Sequence, residues 1–393
     1  MSVKSALIWN ESFRSYRFQQ DHPFNPRRLE MAVSLIEALG LIDGVQHRMI
    51  APRTATDEEL LRVHSPEYVE AVRRLSRRGA ERSEGEQWGL GTEDNPIFVG
   101  MHEATARVVG GTMRAAELVV SGEVDRAFAI AGGLHHAHRD RASGFCVYSD
   151  LGAAIAWIRE TTGARVMYID YDAHHGDGVQ GLFYSDPGVL TLSLHESGRF
   201  LFPGTGFIDE LGEGEGYGFS LNVPMEPQTE DDSWIGIYRE ILGEAAAAFR
   251  PEIIVLQSGV DAHVLDPLAH LRCTTRLFEE SVRITAEVAE EYCGGRMIVT
   301  GGGGYAIWRV VPRAWTLVWA TMTGQTVKDP IPRSWLDRWE EESPRMLPEL
   351  LRDPADSFPP VPRRTEIEAT NRRTLEALKR TALPLLNNRS RPL

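Results

Sequence analysis

The stretch "RVMYIDYDAHHGDG" (165–178) joins a short apolar run to a cluster of ionisable side chains. The run shows no strict alternation of apolar and polar residues, which is typical of a strand buried on both faces of a parallel sheet. The cluster after it contains three aspartates and two histidines. Because ligands of open α/β sheets bind beyond the carboxyl ends of the strands, the stretch predicts a central strand with a functional site at its end.

Seven further runs of this kind occur along the chain. They are "SALIWN" (5–10), "HRMIAP" (47–52), "RAFAIAGG" (126–133), "GVLTLSLH" (188–195), "GFSLNVP" (218–224), "EIIVLQSG" (252–259) and "RMIVTGGGG" (296–304). Longer helical patterns lie between them, at about 26–39, 100–121, 150–162, 231–249 and 274–292. Alternating strands and helices predict the α/β fold class, with a sheet of about eight strands.

Local capping signals support several of these helices. Gly40 follows the first helical pattern and is a typical C-terminal stop. Thr56 and Glu59 have capping-box spacing, and Ser65 precedes a proline suited to the first turn. We therefore expect two additional short helices beginning at about 56 and 65.

The composition changes after about residue 325. The segment "KDPIPRSWLDRWEEESPRMLPELLRDPADSFPPVPRR" (328–364) is rich in proline and charge, and a polar helical pattern follows at about 364–382. We predict one main domain over 1–325 and a C-terminal extension over 326–393 that docks on it. The alternative is that the extension is partly disordered.

The charge balance bears on possible partners. The 393 residues are 42% hydrophobic and carry a formal net charge of −14. An acidic chain repels phosphate backbones, so nucleic-acid binding is disfavoured. The same charge suits a basic or acetylated basic partner, although solubility alone also explains it. Three widely spaced cysteines without a CxxC pair argue against a disulfide framework and against a cysteine zinc site.

The N-terminal sequence "MSVKSALIWNESF" (1–13) lacks a charged start followed by a long apolar run. No stretch of the chain approaches 18 consecutive apolar residues. We therefore expect a cytoplasmic protein with no membrane partner, and the sequence leaves its oligomeric state open.

Four of the eight apolar runs are followed by chemically functional residues. The loops are "GGLHHAH" (132–138), "DYDAHHGDG" (170–178), "GVDAHVLDP" (259–267) and "GGGGY" (301–305). Strand ends of a parallel sheet lie at one edge, so we expect these four loops to converge on one crevice.

Asp172 and His174 are candidate metal ligands, because side chains at i and i+2 of extended chain point to the same side. Asp261, after another strand, is the best third ligand. Two carboxylates and one imidazole leave an open coordination position, as in catalytic zinc sites. The alternative is that these residues only cap turns.

His135 and His136 are candidate proton carriers, because histidine can act as base and acid near neutral pH. Asp170 and Asp177 are the expected orienting carboxylates, and His138 is interpreted as a surface residue. Tyr305, after four glycines, could donate a hydrogen bond to an oxyanion, although packing is the commoner role of such a tyrosine.

Two aromatic residues, Phe145 and Phe202, could form a slot for an unbranched alkyl chain, or could belong to an ordinary core. The glycine run is a poor phosphate cradle, because no Lys-Ser/Thr follows it.

The motifs "GGLHHAHRDRASGFC" (132–146), "YIDYDAHHGDGVQ" (168–180), "FPGTG" (202–206) and "GGGGY" (301–305) occur in this order. Together they resemble the histone deacetylase superfamily, in particular its class I-like branch. The resemblance extends from "DHPFNPRR" (21–28) to about Trp319. Within this superfamily, the chain most resembles the bacterial acetoin-utilization (AcuC-type) deacetylases.

The resemblance implies an arginase/deacetylase fold with an eight-stranded parallel sheet, and zinc-dependent removal of acetyl groups from the ε-nitrogen of lysine. Ferrous iron remains an alternative to zinc, since imidazole and carboxylate accept both. It implies an acetylated protein as partner; the acetoin association suggests a metabolic enzyme such as an acyl-CoA synthetase.

The resemblance also implies roles for individual residues. The metal ligands are Asp172, His174 and Asp261; the catalytic residues are His135, His136, Asp170, Asp177 and Tyr305; the substrate-binding residues are Asp94, Gly144, Phe145, Phe202, Leu268 and Gly303. Arg28 matches an arginine of an internal acetate channel. A structural potassium ion is expected at the backbone oxygens of Asp170, Asp172, His174 and Leu194 and at the Ser193 hydroxyl.

Two positions depart from the pattern of the eukaryotic members. "SGV" (258–260) replaces a Cys-Gly-Ser-like segment, and His263 replaces an apolar residue. Both departures leave the fine substrate preference open.

Three alternative functions follow from the same residues. A binuclear manganese ureohydrolase would need an aspartate at position 263, where this chain has histidine. Deacetylation of acetylpolyamines or other small acetylated amines is compatible with the motifs. A non-enzymatic module that binds acetyl-lysine would be expected to lack an intact metal set.

Overall fold

The computed structural model describes residues 3–19 and 21–389. Its centre is a sheet of eight parallel strands in the order β2-β1-β3-β8-β7-β4-β5-β6. The strands are β1 (Ser5–Ile8), β2 (His47–Ile50), β3 (Arg126–Ala129), β4 (Val166–Asp170), β5 (Val189–Glu196), β6 (Ser220–Met225), β7 (Ile253–Gln257) and β8 (Met297–Thr300). Each of the eight predicted runs overlaps one strand, with β5 and β6 extending one residue past their runs, and the predicted fold class is confirmed.

Helices flank this sheet. They are α1 (Arg27–Ala38), α2 (Asp57–Leu61), α3 (Pro66–Leu75), α4 (Met101–Val120), α5 (Asp150–Thr162), α6 (Asp177–Leu182), α7 (Asp231–Phe249), α8 (Thr275–Cys293), α9 (Val311–Thr323), α10 (Arg333–Glu340) and α11 (Arg364–Arg389). The predicted capping box forms, because the Thr56 side chain accepts from the Glu59 N–H while the Glu59 carboxylate accepts from the Thr56 N–H.

Three helices were not predicted from the sequence, and each has a physical reason. α9 is buried along nearly its whole length, so it lacks the polar face from which a helical period is recognised. α6 has only six residues, and α10 lies within the proline-rich segment. α11 continues past the predicted end at 382 because Leu383 and Leu386 remain buried in the main core.

The sheet order explains how the polar loops converge. β3, β8, β7 and β4 are neighbours and run in the same direction. Their carboxyl ends therefore lie at one edge of the sheet, where the four loops noted in the sequence begin. Tertiary structure thus brings together residues that lie up to 170 positions apart in the chain (from 135 to 305).

The C-terminal region packs on the rest of the chain at two places. Trp335, Trp339 and Leu351 form a second apolar cluster with Met31 and Leu317, which belong to α1 and α9. α11 packs against α7 and β6. The boundary at 325 stays a prediction, and residues 390–393 of the proposed extension lie outside the described residues.

Across the described ranges, 3–19 and 21–389, we find no helix with the length and apolar character needed to cross a bilayer.

Candidate active site

The loop after β3 carries the two adjacent histidines into the interior. Asp150, the first residue of α5, accepts hydrogen bonds from the Gly133 N–H (3.0 Å) and the Leu134 N–H (2.8 Å). These bonds fix the backbone immediately before His135 and His136, which are only 3% and 5% exposed. The start of α5 therefore fixes the backbone that leads into the histidine pair.

Each histidine is oriented by its own carboxylate. His135 Nδ1 lies 2.8 Å from Asp170 Oδ2, and His136 Nδ1 lies 2.7 Å from Asp177 Oδ1. The two ring centroids are 4.0 Å apart. Because Nδ1 of each ring is bound to a carboxylate, Nε2 of each ring is left for proton transfer.

The two histidines differ in their affinity for a proton. Burial and the neighbouring His135 lower the pKa of His136 to about 4. Burial also opposes protonation of His135, but Asp170 and Asp172 outweigh it and raise the pKa of His135 to about 9. A cation near Asp172 offsets part of this increase. Two titratable groups with separated pKa values suit opposite roles in acid–base catalysis.

The three proposed metal ligands come from two neighbouring strand ends. Asp172 and His174 follow β4, and Asp261 follows β7, which pairs with β4. His174 Nδ1 lies 3.1 Å from Asp172 Oδ1 and 2.9 Å from Asp261 Oδ2. One ligand atom from each residue lies within 4.8 Å of the other two, and all three residues are buried.

This cluster fits a divalent cation on grounds of charge. Two buried carboxylates face a single imidazole nitrogen, and burial with the nearby Asp172 charge raises the pKa of Asp261 to about 6. Uncompensated buried carboxylates are unfavourable, and a metal ion relieves this cost. Gln257 and the Gly303 N–H hold the other Asp172 oxygen, at 2.8 and 2.7 Å, so that carboxylate has a fixed orientation.

Tyr305 approaches the cluster from the end of β8. Its N–H donates to Asp266 Oδ2 (2.7 Å), and its ring lies 5.7 Å from that of Phe145 in an edge arrangement. Burial, followed by the Asp261 charge, keeps the pKa of Tyr305 well above its usual value. The phenol is therefore protonated at neutral pH and can donate a hydrogen bond.

A cavity of about 210 Å³ connects this cluster to the surface. Its walls are formed by Asp94, His136, Gly144, Phe145, His174, Leu201, Phe202, Leu268 and Tyr305. The His136 and Phe202 rings pack edge to face, with centroids 5.0 Å apart, so the two side chains are neighbours in the cavity wall. Five of the six residues predicted to bind substrate line this cavity, and Leu201 is an additional wall residue.

The sixth predicted substrate-binding residue, Gly303, lies beside the proposed ligand carboxylates. A Cβ at this position would be 2.0 Å from Asp261 Oδ2 and 2.9 Å from Asp172 Oδ2. Gly303 therefore packs against the proposed ligand carboxylates, and its contact with substrate stays a prediction.

Gly144 provides a test of the cavity's width. Its φ is +48°, and a Cβ there would lie 2.3 Å from His136 Cδ2. We expect Gly144→Ala to displace His136 and to lower kcat/KM for an acetyl-lysine peptide about 10²-fold, the size expected for a misplaced catalytic group. Steady-state kinetics would measure this. Gly181→Ala in α6, where nothing lies within 4 Å of an added Cβ, is the matched control; equal losses in both variants would contradict the prediction.

Arg28 lies behind the glycine run. Its Nη1 donates to Gly302 O (2.7 Å) and Gly304 O (3.2 Å), and its guanidinium lies over the rings of Phe24 and Trp315. The acetate-channel role of Arg28 stays a prediction.

Ser193 occupies the strand beside Asp170, in register with it. His195 Nε2 lies 2.9 Å from Gly206 O, so that nitrogen carries the proton and His195 Nδ1 accepts from the Ser193 hydroxyl at 2.8 Å. The lone pairs of Ser193 Oγ remain available to a cation. Leu194 is fully buried beside it. Potassium binding here stays a prediction.

Sequence reasoning missed three residues that support the site. His138 is not simply a surface residue: its side chain is 25% exposed, and Nε2 lies 3.2 Å from Asp177 Oδ2, so one carboxylate contacts two histidines. Gln257 orients Asp172, and Asp266 holds the backbone of Tyr305. The i, i+2 spacing of His136 and His138 was the available signal for His138, whereas Gln257 and Asp266 became apparent only through tertiary contacts.

Comparisons with known proteins agree with this geometry. A model of the histone deacetylase domain matches residues 22–322. The chain is 48% identical over 371 residues to the acetoin utilization protein AcuC of Bacillus subtilis (strain 168), covering 94% of this chain and 95% of that protein. It is 40% identical over 373 residues to AcuC of Staphylococcus aureus (strain MSSA476), covering 95% of each.

Solved structures give the same result. A crystal structure of an HDAC homolog from Aquifex aeolicus superimposes with a TM-score of 0.85 and 31% identity, over 96% of this chain and 100% of that one. An HDAC homolog complexed with SAHA superimposes with a TM-score of 0.83 and 32% identity, over the same shares. Fold, motifs and relatives agree, and the chain belongs to the histone deacetylase family, as a deacetylase of the AcuC type.

Proposed function

We propose that this chain hydrolyses acetyl-lysine in proteins, with zinc or ferrous iron held by Asp172, His174 and Asp261. The observation that carries the proposal is one three-ligand cluster beside two histidine–aspartate pairs, at the inner end of an aromatic-walled cavity. Three protein ligands with an open position are typical of catalytic zinc sites.

The chain's own residues supply the proton transfers. A divalent ion held by the three ligands would act as a Lewis acid toward the acetyl oxygen and would lower the pKa of a water molecule. His136, neutral at pH 7, accepts the proton of the attacking water at Nε2. His135 donates a proton from Nε2 to the lysine nitrogen as the C–N bond breaks, and acetate and the free amine result.

Tyr305 stabilises the oxyanion that develops on the acetyl carbonyl oxygen when water attacks the carbonyl carbon. We expect Tyr305→Phe to lower kcat by about 10²–10³-fold, or about 2.7–4 kcal/mol, the size found for loss of one oxyanion donor. Single-turnover kinetics on an acetyl-lysine peptide would measure it. Tyr217→Phe, at an exposed site, is the control; unchanged turnover in the Tyr305 variant would remove the proposed role.

The cavity supports a lysine side chain as the substrate group. Phe145 and Phe202 flank an unbranched chain, and Asp94 at the exposed mouth can accept hydrogen bonds from a peptide backbone. An acetylated metabolic enzyme such as an acyl-CoA synthetase is the proposed partner, in keeping with the AcuC relatives. Potassium at Ser193 and Leu194, and acetate release past Arg28, belong to the same proposal.

The test compares an acetyl-lysine peptide with acetylspermidine, before and after treatment with a chelator and re-addition of zinc or ferrous iron. Preferential, metal-dependent hydrolysis of the peptide supports the proposal. Preference for acetylspermidine would favour the small-amine alternative, for which the exposed Asp94 carboxylate at the mouth is suitable. Metal binding without hydrolysis of either would favour a binding module.

The position of His263 argues against the ureohydrolase alternative. Its Nε2 lies 2.9 Å from Asp353 Oδ2, and His263 is not among the residues of the ligand cluster. Within residues 3–19 and 21–389, that cluster is the one group with metal-ligand spacing.

A further inference from the structure

His263 lies two residues after Asp261 and makes two hydrogen bonds that define its state. Its side chain is fully buried. Nδ1 accepts from the Leu265 N–H at 3.1 Å, so the ring proton must be on Nε2. Nε2 therefore donates to Asp353 Oδ2, at 2.9 Å. A neutral imidazole thus links the segment after β7 to the C-terminal region.

Asp353 connects three parts of the chain. Its Oδ1 accepts from Arg313 Nη1 in α9 at 3.0 Å, and the two side chains are only 8% and 4% exposed. Its Oδ2 also accepts from the Thr275 N–H at the start of α8 (3.0 Å), and its own N–H donates to Thr275 Oγ1 (2.9 Å). One buried carboxylate therefore joins the β7 segment, α8 and α9.

Two of these elements, the segment after β7 and α9, lie next to residues of the proposed active site. His263 is separated from Asp261 by one residue. The Arg313 side chain donates from Nε to Arg309 O, on the segment between Tyr305 and α9. Asp266, three residues after His263, accepts from the Tyr305 N–H at 2.7 Å, so the two segments are also joined to each other.

We propose that Asp353 is a positioning residue for the active site, acting through His263 on Asp261 and through Arg313 on Tyr305. The inference rests on the proposed function for the roles of Asp261 and Tyr305. Removing the carboxylate leaves the buried Arg313 charge and the buried His263 N–H without this partner. Because such groups are costly when unpaired, the segment after β7 and α9 should both shift until the two groups find other partners. The C-terminal region thereby helps to hold the active site in place. His263, which replaces an apolar residue of the eukaryotic family members, provides one of the two links.

The first variant is Asp353→Asn, which keeps the shape and removes the charge. We expect the metal-free variant to bind cobalt(II) about 10–100-fold more weakly than the parent, as for other supporting contacts of metal ligands. We also expect an altered cobalt absorption spectrum, and a lower kcat with little change in KM. Asp329→Asn is the matched control, because Asp329 pairs with Arg352 in the same region at a more exposed site; it should alter melting temperature only.

Substitutions of His263 provide a second route if Asp353→Asn folds poorly. His263→Gln keeps an N–H donor and should retain most of the cobalt affinity, whereas His263→Leu should lose it to a similar degree as Asp353→Asn. In cobalt affinity, the double variant His263→Leu with Asp353→Asn should lose no more than the larger single loss. Both changes break the His263–Asp353 contact, through which Asp353 acts on Asp261.

The results separate two failures. A parent protein that binds cobalt, with variants that match its affinity and spectrum while melting at lower temperature, would make Asp353 merely structural and overturn this inference alone. A parent that binds no cobalt and hydrolyses no acetylated substrate would overturn the proposed function and this inference with it.

Discussion

The Asp261→Asn variant is expected to lose metal binding and turnover together. An amide is a much weaker ligand than a carboxylate, and Asp172 with His174 then offer only two strong ligand atoms. Lewis-acid catalysis contributes several kcal/mol, so turnover should fall at least about 10³-fold. Elemental analysis of the purified protein and a peptide deacetylation assay would measure the two losses.

The same variant should not lose stability when both proteins are metal-free. Burial and Asp172 raise the pKa of Asp261 to about 6, above its unfolded value, so ionising this carboxylate destabilises the folded state as the pH rises through 6. Asparagine removes that cost at pH 7. Its Oδ1 can still accept from the Ala173 N–H, now 2.8 Å from Asp261 Oδ1, and its Nδ2 can donate to Nδ1 of a neutral His174, now 2.9 Å from Asp261 Oδ2. Calorimetry should therefore give a melting temperature no lower than that of the metal-free parent.

A partly buried carboxylate outside the site serves as the control. Asp231 accepts from the Thr274 N–H and hydroxyl at the start of α8, so Asp231→Asn should alter stability but not metal content. An Asp261→Asn protein that retains one ion per chain and parental turnover would show that the ligand assignment is wrong.

Replacing His136 with glutamine should lower kcat by about 10²–10⁴-fold, the usual contribution of general acid–base catalysis. His136 is neutral at pH 7 because its pKa is lowered to about 4, and glutamine cannot accept the proton of water. Metal content should stay at the parental level, since His136 is not among the three ligands. Kinetics and metal analysis on one preparation would test both statements.

His138→Gln is the matched control for this prediction. His138 contacts the same carboxylate as His136, Asp177, but it does not line the cavity. Its replacement should therefore cost far less turnover than that of His136. Equal losses would indicate that the histidines act only by holding Asp177 in place.

The pH dependence provides a further check on the same pair. The base role needs neutral His136, which is lost as the pH falls toward its lowered pKa of about 4. The acid role needs protonated His135, which is lost as the pH rises toward about 9, or lower when a cation offsets the Asp172 charge. The parental profile of kcat/KM should be bell-shaped, and His136→Gln should remove its acidic limb.

Much of the fold was predictable because its signals are local. Each buried strand of a parallel sheet is a short apolar run, and helix starts such as Thr56 carry their own capping residues. α9 shows the limit of this reasoning. A helix buried on all sides has no polar face, so its period disappears from the sequence although its apolar content is evident.

For the site, the sequence by itself determined which residue types follow which strand: the histidine pair, the D-x-H segment, Asp261 and Tyr305 are motif residues at strand ends. Only the tertiary structure decided that Gly303 contacts the ligand carboxylates, that His138 shares Asp177, and that Asp353 bonds to His263. The physical reason is that short motifs and periods are written into neighbouring residues. Contacts between residues 39 to 131 positions apart depend instead on how the helices and the C-terminal region pack around the sheet.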